Sequence, residues 1–314
     1  MPVRKSGHKL MVGLVLIFIL PACSSIPQTI QLSKSAPLIP PVKELASVPF
    51  YAQRDYQCGP AALATIINFY NQQTTVEELI PLVYIPQLKG SLQVEMIAAS
   101  RRFNRLAILQ DGQLESILKE VAGGNPVLVM QNLGFESYPF WHYAVVVGYD
   151  LKKQQIILRS GEIKRHIRPF SVFERTWKRS GFWSVVMVPP GLMPVTATEV
   201  NYTKAAINYE TGSAAIDSIQ VYQTGLDRWP NNFILLMGLG NSAFAEKNFT
   251  LAEKAFLRAT TLQPETAESW NNLSYALLLQ GKRNQALDAI NQALQLAPEN
   301  KEFISSKQDI MNYR

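Results

Sequence analysis

A chain of 314 residues, 47% apolar and 17% charged, has room for about two domains and a globular composition, which excludes a mainly disordered or fibrous protein. The net charge is +6, but Arg4, Lys5 and Lys9 sit in a short basic N-terminal segment, and without them 27 basic residues face 24 acidic ones. So small and dispersed a surplus excludes nucleic acid as the partner that the charge points to.

Residues 10–20 form an apolar run of 11 residues. A membrane-spanning helix needs about 20, so residues 1–22 read as a signal peptide. The run ends in Leu20-Pro21-Ala22-Cys23-Ser24-Ser25, which resembles the lipobox of bacterial lipoproteins. The resemblance implies cleavage before Cys23 and a diacylglyceryl group on its thiol. With Ser24 rather than Asp beside it, it also implies an outer membrane lipoprotein facing the periplasm. Acyl chains on Cys23 would give stable membrane attachment. Residues 23–46 hold Pro27, Pro37, Pro40 and Pro41 without sustained periodicity and read as an extended tether. The folded domain is then expected to begin near Ser47.

Cys58 is the one cysteine besides Cys23, so acylation of Cys23 leaves it unpaired in an oxidising compartment. Two cysteines and three histidines (His8, His142 and His166) give no basis for a metal or cofactor site.

The first domain is expected over residues 47–190. Residues 61–70 read as an apolar helix entered through Gly59-Pro60. Thr75-Val76-Glu77-Glu78 is a capping box that opens a second helix. Leu114, Ile117, Leu118 and Val121 recur at helical spacing before Gly123-Gly124. Residues 126–131, 143–149, 155–158 and 183–188 are short β-rich runs. Helices mostly precede strands, which indicates an α+β fold.

Cys58 stands just before the first helix, where the dipole and free amides favour a thiolate. His142 follows 84 residues later at the head of the apolar strand His142-Tyr143-Ala144-Val145-Val146-Val147. A Cys at a helix start and a His on a strand are the parts of a thiol nucleophile with its base. Gln53-x4-Cys58-Gly59-Pro60-Ala61-Ala62-Leu63, with the later His142-Tyr143-Ala144-Val145-Val146-x-Gly148-Tyr149, resembles the papain-like cysteine peptidases that process bacteriocin leaders at double-glycine sites. The resemblance implies Cys58 as nucleophile, His142 as base and Gln53 as the oxyanion-hole side chain, with Gln57 as the fallback donor. The family's third residue, an Asp before Pro about sixteen residues after the His, is replaced here by Leu158-Arg159-Ser160-Gly161. Asp150 is eight strand residues from His142, about 26 Å, and reads as the opening of a hairpin turn. The partner strand returns Ser160 toward His142, where its hydroxyl or a backbone carbonyl would orient the imidazole. His166 falls in a basic stretch and reads as a surface residue.

The proline cluster 189–194 marks a boundary. Beyond it Pro230, Pro264 and Pro298 are spaced by 34 residues. Small or apolar residues stack in register on them, as in Ser218, Ala252 and Ala286, or Gly225, Ala259 and Ala293. The pattern resembles tetratricopeptide repeats at 199–232, 233–266 and 267–300, with a capping helix after them, so residues 195–314 form an all-α domain of helix pairs. The first copy is degenerate, with Ser218 and Gly225 in alanine positions. Residues 23–194 carry 17 basic and 12 acidic side chains, and residues 195–314 carry 10 and 12. Opposite signs permit docking between the halves.

The expected protein is therefore a papain-like cysteine peptidase domain followed by tetratricopeptide repeats, held at the membrane by lipid on Cys23. Its substrate is a peptide or protein, and its repeats take a protein partner. Two rivals remain open. One is a cell-wall amidase or acyl transferase using the same thiol. The other is a non-catalytic repeat scaffold in envelope assembly or secretion.

Overall fold

The computed structural model describes residues 26–53, 56–210 and 215–313. The signal segment and Cys23 lie outside them. In chain order the N-terminal half is α1 (Pro27–Lys34), β1 (Val42–Glu44), α2 (Cys58–Phe69), α3 (Val76–Val83), a 3-10 turn, α4 (Gln93–Arg102), β2 (Leu106–Leu109), α5 (Leu114–Ala122), β3 (Val127–Asn132), β4 (Trp141–Asp150), β5 (Gln155–Ser160), β6 (Ile163–Pro169), α6 (Phe170–Lys178) and β7 (Ser184–Val188). All seven strands join one antiparallel sheet in the order β2-β7-β3-β4-β5-β6, with β1 on the far part of β4. This is the α+β arrangement expected from the order of helices and strands.

The sheet is covered on both faces. Gln131 of β3 donates to Thr176 of α6 at 2.5 Å, which puts α6 on that face. Tyr143, one residue out of phase, donates from its hydroxyl to the Ser91 carbonyl at 3.2 Å, on the face of α2 and α4. Leu63, Ile66 and Ile67 of α2, Ile117 and Leu118 of α5 and Phe173 and Trp177 of α6 are fully buried. Thr75 and Glu78 make the reciprocal bonds of the capping box.

The N-terminal tether expected over residues 23–46 is corrected. Residues 27–34 are a helix, and residues 42–44 are a strand paired with β4. The buried carboxyl of Glu174 accepts from Gln28 N at 3.0 Å, Thr29 N at 2.7 Å and Thr29 Oγ1 at 2.5 Å. It satisfies the free amides of the α1 start, the task of an N-cap, from 145 residues away in the chain. Prolines here punctuate the segment without keeping it extended.

β6 covers the basic stretch 164–168. It is an edge strand, largely exposed, and its charges discourage pairing with another chain. The opposite edge, β2, is covered by α7 (Glu199–Glu210), the first helix of the second half. Asn201 Nδ2 donates to Leu109 O at 3.3 Å, and Arg101 donates to the Asn208 carbonyl. The link before α7 is fixed by buried Glu120, which accepts from Thr196 N and Oγ1, each at 2.6 Å, and from Asn125 Nδ2 at 2.7 Å.

Six further helices follow: α8 (Ala215–Arg228), α9 (Phe233–Ala245), α10 (Phe249–Leu262), α11 (Ala267–Leu278), α12 (Arg283–Leu296) and α13 (Lys301–Asn312). Ala252, Ala259, Ala286 and Ala293 are fully buried where neighbouring helices approach. Three helical glycines of this half, Gly225, Gly238 and Gly240, face aromatic rings. A Cβ on Gly225 would stand 2.7 Å from the Tyr202 ring, and one on Gly238 would stand 2.2 Å from the Tyr222 ring. In the first copy Gly225 stands in an alanine position because the Tyr202 ring occupies the space a Cβ would take.

Candidate active site

Cys58 is the first residue of α2. The N–H of Ala61 closes the first turn onto Gln57 O at 3.1 Å, and Pro60 sits in that turn, where a missing N–H is harmless. Gly59 is required by contact: a Cβ there would stand 2.2 Å from Ser91 Oγ.

The strand register decides what lies beside the thiol. Leu133 N donates to Phe140 O, so the ladder bonds between β3 and β4 fall on alternate pairs and pass over Tyr143. The N–H and C=O of Tyr143 point away from β3, toward the place where β5 has already ended. Gln53 Nε2 donates to Tyr143 O at 3.4 Å, and the Tyr143 amide hydrogen-bonds the Cys58 sulfur. The strap that carries Gln53 is itself tied down. Gln53 N donates to Gly161 O at 3.1 Å, and buried Arg159 donates to Val48 O from Nε and Nη2, each at 3.2 Å.

His142 precedes Tyr143, so β4 brings the thiol and the imidazole to adjacent residues of one strand. His142 Nε2 lies 2.8 Å from Ser160 Oγ. That leaves Nδ1 as the ring nitrogen facing other chemistry. Ser160 is buried at the end of β5, and the hairpin turn returns it from Asp150, whose Oδ1 accepts from Lys153 N at 3.0 Å. Asp150 is thus a turn residue at the far end of β4. Gln57 caps α2 with its backbone alone.

The electrostatics differ from the expected thiolate. Burial pushes the Cys58 thiol up, and the amides of Tyr143, Gly59 and Cys58 itself only partly offset it. Burial also lowers His142 to about 4, with a further contribution from the charge of His166. The resting pair is a thiol and a neutral imidazole. His166 is not the surface residue its basic neighbours suggest. It pairs with Leu158 in β6, is half-buried, and its Nδ1 is buried without a hydrogen-bond partner. Nothing in the sequence placed it near His142, because three strands must align to do so. Among the described residues no group of three or more His, Cys, Asp or Glu side chains is arranged to hold a metal ion. A cleft of about 360 Å³ between α1 and the β4–β5 turn lies at the other end of the sheet from Cys58.

Residues 45–185 match the Peptidase C39 like family, and residues 217–264 and 267–300 match two tetratricopeptide-repeat families. Among solved structures the chain is similar to a C39-like peptidase from Bacillus anthracis, with 16% identity over 47% of this chain and 97% of that one and a TM-score of 0.40. It is also similar to the first tetratricopeptide domain of human RPAP3, with 21% identity over 36% of this chain and 89% of that one and a TM-score of 0.34. No curated protein matches the chain.

Proposed function

We propose that this chain, a Peptidase C39-like domain followed by tetratricopeptide repeats, is a membrane-anchored periplasmic cysteine peptidase. One observation carries the reading. Cys58 Sγ and Gln53 Nε2 meet on the backbone of Tyr143, next to a His142 whose Nε2 is held by Ser160.

Because the resting pair is neutral, the thiol proton passes to His142 Nδ1 as sulfur attacks the substrate carbonyl carbon. The C–S bond forms and the carbonyl oxygen takes the electron pair. Gln53 Nε2, turned from Tyr143 O, donates to that oxyanion. The imidazolium proton goes to the leaving amine nitrogen as the C–N bond breaks. Water then hydrolyses the thioester and restores the thiol. Ser160 holds the ring where the family has a carboxylate, a weaker orientation that a sulfur nucleophile tolerates.

The substrate is a peptide or protein, with double-glycine sites the preference the family suggests. The repeats hold an extended peptide or a protein partner, and acylated Cys23 fixes the protein to the outer membrane on its periplasmic side. Mature protein is expected to cleave peptides and Cys58→Ala to be inactive; equal cleavage by the variant removes Cys58 from the mechanism. The raised thiol favours a second reading, a repeat scaffold whose first domain no longer reacts. In that case Cys58→Ala would recover the same partners and replace the wild type without loss.

A further inference from the structure

Six of the seven residues of the edge strand β6 are exposed, and the exception is His166. Its ring nitrogen Nδ1 is buried and has no hydrogen-bond partner. A buried polar atom without a partner is uncommon in a folded protein and needs a cause.

The strand register shows what Nδ1 has beside it. His142 and Val146 are four residues apart on β4 and so share a face. Val146 stands opposite Leu158, and Leu158 stands opposite His166. Ser160, two residues after Leu158, is on that face as well. His142, Ser160 and His166 therefore project from one face of three adjacent strands, and the charge of His166 is felt at His142. Ser160 pairs with Ile163, so β6 takes an extra residue between the two pairs. A bulge of this kind re-aims the side chains beside it. Ser160 and His166 are close to diagonal neighbours, about 7–8 Å apart along the backbone and within reach of a ring.

The Ser160 hydroxyl has one hydrogen, and His142 Nε2 is 2.8 Å away. If that hydrogen goes to Nε2, the His142 proton sits on Nδ1 and blocks transfer from the thiol. If it goes elsewhere, Nε2–H donates to Ser160 Oγ and Nδ1 is bare, the state from which the reaction above starts. A carboxylate would impose the second arrangement because it only accepts, but residues 158–161 hold none. Ser160 needs a second acceptor to do the same. Burial, and then the Arg168 charge, hold His166 below the ordinary imidazole value, so it is neutral at neutral pH and a bare Nδ1 accepts.

We propose that His166 is a positioning residue: its Nδ1 accepts the Ser160 hydroxyl hydrogen, so that Ser160 accepts from His142 Nε2–H and His142 Nδ1 stays free for the Cys58 proton. This rests on the peptidase reading and adds a third member to its site. The contact is open in the structure, and a turn of the His166 side chain on its edge strand closes it.

The test uses residues 24–314, in which His142 and His166 are the only histidines. Ring nitrogen-15 NMR at neutral pH should show His142 with a bare Nδ1 and a protonated Nε2. His166→Leu, which also assigns the signals by deleting its own, should move both His142 nitrogens toward a mixture of tautomers, and Ser160→Ala should do the same. His166→Asn keeps an acceptor near the Nδ1 position and should preserve the tautomer. His166→Gln, polar but with its amide one bond further out, should behave like His166→Leu, and it serves if the apolar variant does not fold. On a fluorogenic peptide with a Gly-Gly site, His166→Leu should lower kcat about tenfold with KM unchanged, and His166→Asn should stay within about threefold of wild type. In a Ser160→Ala background His166→Leu should cause no further loss, because the hydroxyl it acts through is gone. A wild-type His142 protonated on Nδ1, a tautomer indifferent to residue 166, or losses that multiply in the double variant overturn the proposal and leave His166 a packing residue. Peptide left uncut by wild type refutes the peptidase reading alone, since the nitrogen shifts decide the role of His166 without substrate.

Discussion

Lowering the pH tests the site through one imidazole. His142 titrates at about 4 in the fold, against an ordinary 6.5, because burial and then the His166 charge disfavour its proton. The unfolded chain keeps the ordinary value. Between pH 6.5 and 4 the unfolded state therefore binds more protons than the native one. This contribution to stability is complete above pH 6.5 and is lost as pH falls toward 4. From pH 7 to 4.5 the loss is about 2–3 kcal/mol, at about 1.4 kcal/mol for each tenfold change in proton activity. Residues 24–314 contain only two histidines, His142 and His166, so ring carbon-13 NMR should give two signals, one with its midpoint near 4. Urea unfolding at both pH values should show the loss in wild type and a smaller one in His142→Gln, which keeps a polar group toward Ser160. His166→Ala should raise the His142 midpoint and leave it below 6.5, since burial is the larger cause. A His142 midpoint at or above 6.5 refutes the neutral pair and restores the thiolate–imidazolium resting state.

Alkylation of Cys58 by iodoacetamide should keep accelerating with pH beyond the range of an ordinary thiol, and a plateau below pH 7 would contradict the burial argument. Gly238→Ala should destabilise the repeat half by about 1–3 kcal/mol despite alanine's better helix propensity, because its Cβ meets the buried Tyr222 ring. An unchanged or raised midpoint in thermal unfolding would mean that the ring yields freely. Glu174→Ala leaves the amides of Gln28 and Thr29 without their acceptor, at about 1–3 kcal/mol, and should expose α1 to limited proteolysis. Resistance equal to wild type would show that α1 is held by its apolar contacts.

Local chemistry made much of the protein legible. The capping box at Thr75 and Glu78, the helix at 114–122 and the apolar strands each follow from residues near one another in the chain. The 34-residue spacing works for the same reason, since each helix pair packs mainly on its sequence neighbours. Even Ser160 was readable, because a hairpin returns its second strand along the first by a countable distance. What stayed hidden depends on partners far away in sequence. The α1 helix looks like a linker because its cap is Glu174, and β6 looks like a basic loop because its one pairing strand sets its register.

The sequence by itself determined which residues could react, since it offers one thiol beside a helix start and one histidine in a strand motif. Tertiary structure alone decided their state. Whether Cys58 and His142 carry charge depends on how much protein replaces water around them, on a third strand that brings His166 near, and on the amide of Tyr143. Desolvation and long-range charge are properties of the assembled sheet and have no local signature in the chain.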